Sequence, residues 1–187
     1  MALHGAFFYF LKIYKLKNNQ KNMNKEEILK ELRKQFDLTK KRLGFKATFE
    51  EINEISYIED MALSQGFVSN QFSRQMINRI VDTFYGWIGE IYAWIYPQPM
   101  DIIRNYECKK LSEEERKELL LMIDRIMYLV RKSKRIAFKG LIKKEEADFI
   151  DELVKFDKKY FNTFMLKYHE KFEKCWEEEK SQGGKKK

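Results

Sequence analysis

Three groups of residues in this 187-residue chain have types and spacings that can do chemistry. The first is Arg79, Asp82 and Glu90. Between Met61 and Met100 the only other charged residue is Arg74. On a helix turning roughly 100° per residue, all three fall off the apolar arc, and Arg79 and Asp82 stand at the i, i+3 spacing of an ion pair. With Gly86 and Gly89 nearby they define a candidate polar pocket for a small ligand or a metal. The plainer reading is a rim or interhelical ion pair.

The second group is a basic run. Between Tyr128 and Lys144 there are seven bases and no acid: Arg131, Lys132, Lys134, Arg135, Lys139, Lys143 and Lys144. Such a block can hold a nucleic acid or another polyanion by replacing its counterions. It can equally be the cationic last turn of a helix, where positive charge complements the helix dipole. An acidic segment follows, with eleven acids against seven bases from Glu145 to Lys180.

The third group is His169 with Glu173 at i, i+4 and Cys175 close by in sequence. A metal there needs ligands from another helix, such as Glu51 or Glu54, so a rim histidine beside a carboxylate is the simpler reading. His4 and His169 are the two histidines of the chain, too few for a three-histidine zinc site or paired Glu-x-x-His di-iron motifs. Cys175 lies about 240° around a helix from His169, so the two do not face each other as a thiolate pair. No glycine-rich phosphate loop and no serine elbow are present. The sequence therefore predicts no catalytic residue, no cofactor and no metal.

The elements that carry these groups are written in helix punctuation. Asn24 with Glu27 starts a helix whose apolar face is Ile28, Leu32, Phe36 and Leu43, and Gly44 stops it. Thr48 and Glu51 form a second capping box, and Ile52, Ile55, Ile58 and Ala62 then predict one helix running to Gly66. Ser69 or Asn70 opens a long apolar central helix that Pro97 must end. Its arc holds Met76, Ile77, Ile80, Val81, Phe84, Trp87, Ile88, Ile91, Trp94 and Ile95, a face broad enough for more than one neighbour. Opposite lie Gly86, Gly89 and Ala93, a small-residue strip that predicts close approach by another backbone or a ligand. Trp87, Tyr92, Trp94 and Tyr96 read first as core, although Tyr85 and Tyr92 sit off the arc and point toward another helix or a partner chain.

A short helix over Asp101 to Lys110 is expected, then a Ser112/Glu115 capping box leading a helix into the basic block. From about Lys143 to Lys180 neither Gly nor Pro interrupts an aromatic-rich face, which predicts one long C-terminal helix. No strand alternation or internal repeat is found. The expectation is an all-α, single-domain bundle of about five main helices, with a long apolar central helix and a long C-terminal one.

The ends are read separately. Residues 1–22 carry Lys12, Lys15, Lys17 and Lys21 without an acid, and the last five carry Lys185, Lys186 and Lys187, so of the formal +8 only +1 falls on residues 23–182. Residues 1–22 form a basic, aromatic arm or upstream extension that lacks the pattern of a secretory signal and is too short in its apolar run to span a bilayer. Residues 23–180 are the helical domain, and 181–187 a disordered lysine-rich tail. No transmembrane segment is expected. Two cysteines cannot make a disulfide framework, which suits a cytoplasmic setting. The functional expectation is a non-enzymatic helical interaction module that binds a protein partner or itself. The alternatives are a polyanion binder through 128–144 and a small-ligand or metal site around Arg79, Asp82 and Glu90.

Overall fold

In the computed structural model, which describes residues 24–69, 71–140 and 142–183 (the last three by backbone alone), Asn24 opens α1 (Lys25–Leu43). Its Oδ1 accepts from the Glu27 amide at 2.9 Å, and Glu27 Oε2 accepts from the Asn24 amide at 3.0 Å. Ile28, Leu32, Phe36 and Leu43 are buried, and Gly44 closes the helix at φ 86° with its N–H on the Lys40 carbonyl. The arm expected over 1–22 and the three final lysines lie outside the described residues.

The single helix expected from Thr48 to Gly66 is corrected to two: α2 (Phe49–Ser56) and α3 (Ile58–Gln65). Tyr57 breaks them apart at φ 49°, the one non-glycine residue with positive φ among those described. Side chains hold the break. Asn53 Oδ1 accepts from the Glu59 amide at 3.0 Å, and Arg79 Nε donates to the Ser56 carbonyl at 3.0 Å. The Ile52, Ile55, Ile58 and Ala62 stripe stays buried through the break, which is why periodicity does not reveal it.

α4 (Phe72–Ile95) follows. It starts after Gln71, whose amide donates to Ser69 Oγ at 3.1 Å, and stops before Pro97. Met76, Ile77, Ile80, Val81, Phe84, Ile91, Trp94 and Ile95 are buried, whereas Trp87 and Ile88 stay partly open. α4 packs chiefly on α6 and also touches α1, α2, α5 and α7. α5 (Ile102–Lys109) is capped by Asp101, whose Oδ1 accepts from the Arg104 amide at 3.0 Å. α6 (Glu113–Phe138) begins on the Ser112/Glu115 capping box.

The last stretch is continuous but not uniform. α7 (Lys143–Phe156) runs through a π turn (Asp157–Phe161) into α8 (Asn162–Gly183). The helical backbone continues three residues into the segment expected to be a disordered tail. Among the described residues every regular element is helical, and the buried residues form one core cluster. The elements outnumber the five main helices expected, because Tyr57 splits the second of these into α2 and α3 and the π turn divides the last into α7 and α8, while α5 is the short helix expected over 101–110.

Candidate functional site on the outer side of the fourth helix

The polar residues singled out on α4 come together. Arg79, Asp82 and Glu90, with Thr83, Gly86 and Trp87, line a shallow open groove of about 460 Å³. The expected Arg79–Asp82 ion pair does not form. Arg79 turns instead to the Ser56 carbonyl at the C-terminus of α2, where a cation is favoured by the exposed carbonyl dipoles. Glu90 pairs with Arg104, which also binds Glu107 at 2.7 Å, and Trp176 Nε1 donates to the other Glu107 oxygen at 3.3 Å. Two of the three charges are thus committed to holding α2 and α5 against α4.

The glycine strip differs from expectation. A Cβ built on Gly86 or Gly89 meets nothing within 4 Å, so no backbone within the described residues packs there. The strip is the solvent side of α4, and Tyr85, Tyr92 and Tyr96 flank it, each more than half exposed. The Tyr92 and Tyr96 rings lie 5.1 Å apart. Of the aromatic cluster read as core, Trp94 alone is fully buried, against Tyr168 and Phe172. Met100, Ile102 and Ile103 extend the exposed apolar surface beyond the helix.

A second cavity shares Thr83 and Trp87 with the groove. It holds about 330 Å³ between α2, α4 and the π turn, and its lining includes Glu54, Tyr57, Asp157, Lys158, Asn162 and His169. Asp157 is 8% exposed. Asn162 Nδ2 donates to its Oδ2 at 2.8 Å, and no described residue donates to Oδ1. Burial pushes the Asp157 carboxyl above the usual aspartate range, and the Glu54 carboxylate adds to that; the Asn162 hydrogen bond and Lys158 oppose it. Lys158 Nζ is held by Glu51 at 2.7 Å. His169 stands at the rim, its ring edge-on to Trp87 at 6.1 Å and to Trp94 at 5.4 Å, rather than paired with Glu173.

Sequence reasoning missed this cavity. Its one signal is a slip in apolar register. At 100° per residue the mean direction of Phe149, Ile150 and Leu153 differs by roughly 80° from that of Phe161, Met165, Tyr168 and Phe172. The π turn absorbs the slip, as π-bulges do by taking one additional residue into a turn.

The basic block is partly neutralised by α7. Lys132 pairs with Glu152, and Lys139 with Glu145 at 3.0 Å. Arg131, Lys134 and Arg135 have no described carboxylate within 4 Å and lie exposed on the last turns of α6 beside Phe138, which is 92% exposed. Lys143 and Lys144 open α7. A further groove of about 460 Å³ lies between α6 and the end of α7, lined by Leu121, Asp124, Arg125, Tyr128, Glu152, Lys155 and Tyr160 among others.

Among the described residues no group of three or more His, Cys, Asp or Glu side chains is placed to hold a metal ion, and no helix is long and apolar enough to cross a membrane. The chain matches no protein-family model, no curated protein and no solved structure.

Proposed function

We propose that the protein is a non-enzymatic helical interaction module that self-associates through the solvent side of α4. One observation carries this reading: Tyr85, Gly86, Gly89, Tyr92 and Tyr96 form an outward-facing stripe, with Asp82 one turn before Gly86 and Glu90 at its edge, on a helix whose opposite side is core. Each glycine inside a helix costs about 1 kcal/mol relative to alanine, and nothing among the described residues uses the space it leaves. A second helix can use it. If two copies cross antiparallel at Gly89, Tyr92 of each copy lies over Gly86 of the other, so the stripe supplies both knobs and holes in a two-fold arrangement. A cytoplasmic setting is part of the proposal, consistent with the free thiols of Cys108 and Cys175.

Light scattering on the full chain tests it. A concentration-dependent dimer is expected in the micromolar range, with Gly86→Arg converting it to a folded monomer. A wild-type chain that stays monomeric at high micromolar concentration overturns the reading.

A polyanion-binding role is the second reading, supported by the exposed Arg131, Lys134 and Arg135 beside Phe138. The small-ligand reading around Arg79, Asp82 and Glu90 has less support, since Arg79 and Glu90 already have protein partners.

A further inference from the structure

We propose that the cleft between α2, α4 and the π turn binds a small organic cation, an amine carrying an apolar body. The cleft has two chemically distinct walls. Ile55, Phe84, Phe161 and Met165 supply an apolar floor, and Trp87 presents an aromatic ring at the border it shares with the outer groove. The opposite wall is acidic, with Glu54 on α2 and Asp157 on the π turn. Lys158 is the lysine lining the cleft, and its ammonium is held by Glu51, which is not part of the lining. Glu51, Glu54 and Asp157 all act on that one lysine, and Tyr57 and His169 are the remaining titratable groups of the lining.

Of these acids, Asp157 is not a surface carboxylate. Asp157 is more than nine-tenths buried, lines the cavity, and has one oxygen without a donor from any described residue. That second oxygen is not sealed from the cleft, so an ammonium bound there can donate an N–H to it in place of water and bring a positive charge with it. Trp87 adds a ring face of the kind that attracts cations. An anion meets two carboxylates here, and the metal alternative lacks a donor cluster. The volume lies at the lower end of the range for small-molecule sites, about 300–1,000 Å³, which limits the ligand to a compact amine.

Calorimetric titration of the full chain with phenethylamine tests the proposal, with 2-phenylethanol as its neutral counterpart. Saturable binding of the amine is expected, with the alcohol weaker by about tenfold or more, the scale of one partly buried charge contact. Asp157→Asn and Glu54→Gln should each weaken amine binding by a similar factor, while circular dichroism stays unchanged. Glu54 is exposed, so its variant remains informative even if Asp157→Asn alters folding. No saturable binding by the wild type overturns the proposal. Equal binding of the alcohol, or amine affinity unchanged in Glu54→Gln, does the same.

Discussion

Asp157 and Tyr57 both depart from ordinary local chemistry, one in its side chain and the other in its backbone. The folded state holds the Asp157 carboxyl above its usual range through burial first and Glu54 second. A group raised in this way binds its proton more tightly folded than unfolded. The stability it contributes is present at low pH and is lost as pH rises from the ordinary aspartate value, about 4, through the raised one. Asp157→Asn is expected to remove that loss, so urea midpoints of the variant should gain on the wild type as pH rises from about 4 to neutrality. Glu51 and Glu118 act in the opposite sense. Hydrogen bonds from Lys158 and Lys167 respectively are the main causes holding them below the usual range, and their contribution fades as pH falls. Tyr57 gives a backbone prediction. Its left-handed conformation costs a non-glycine residue about 1 kcal/mol, and its side chain is 58% exposed. Tyr57→Gly should therefore raise the free energy of urea unfolding by about 0.5–1 kcal/mol. Neither residue was legible beforehand, because a buried acid and a left-handed tyrosine both sit inside patterns that read as continuous helix.

Among the elements, the well-capped helices were the legible ones. Asn24/Glu27, Thr48/Glu51 and Ser112/Glu115 all form the reciprocal boxes their spacing predicts, since capping is a contact among four neighbouring residues and needs no tertiary information. The side of α4 that would meet a partner was less legible. Gly86 and Gly89 were read as permitting close approach, and within the described chain they face open space. That exposure gives a two-sided prediction. Gly89→Ala should stabilise the monomer by about 1 kcal/mol in urea unfolding, whereas a bulky side chain there should weaken self-association without harming the fold. On α6, the tertiary pairing of Lys132 with Glu152 narrows the residues on which the proposed polyanion reading rests. Arg131→Glu, Lys134→Glu and Arg135→Glu together should abolish retention of single-stranded RNA at about 50 mM salt. The single variant Lys132→Gln should leave retention nearly unchanged. Filter binding distinguishes the two.

For the whole molecule, the all-helical composition and one shared core followed from periodicity, the scarcity of Gly and Pro, and the absence of strand alternation. The spatial neighbours did not. Nothing local announces that Arg104 of α5 reaches Glu90 of α4, or that Lys167 and Lys171 of α8 meet Glu118 and Glu115 of α6. These contacts join residues far apart in sequence, and their choice of partner depends on how the helices stack.

The π turn carries one residue more than the helix around it needs, which gives the chain a built-in tolerance to shortening. Removing exposed Lys159 should let the turn relax to ordinary α-helix while both apolar faces stay aimed at the core. Removing Glu170 from α8 has no such slack to draw on. Every later residue would swing by about 100°, taking Phe172 out of the core it now helps to fill. Thermal unfolding should show a small loss for the first deletion and a severe one for the second. The shortened but folded chain would also have lost the turn that sets Asp157 in its cleft, so ligand binding would vanish while the bundle survived. On this expectation, the extra residue that folding can spare is the one that shapes the cavity.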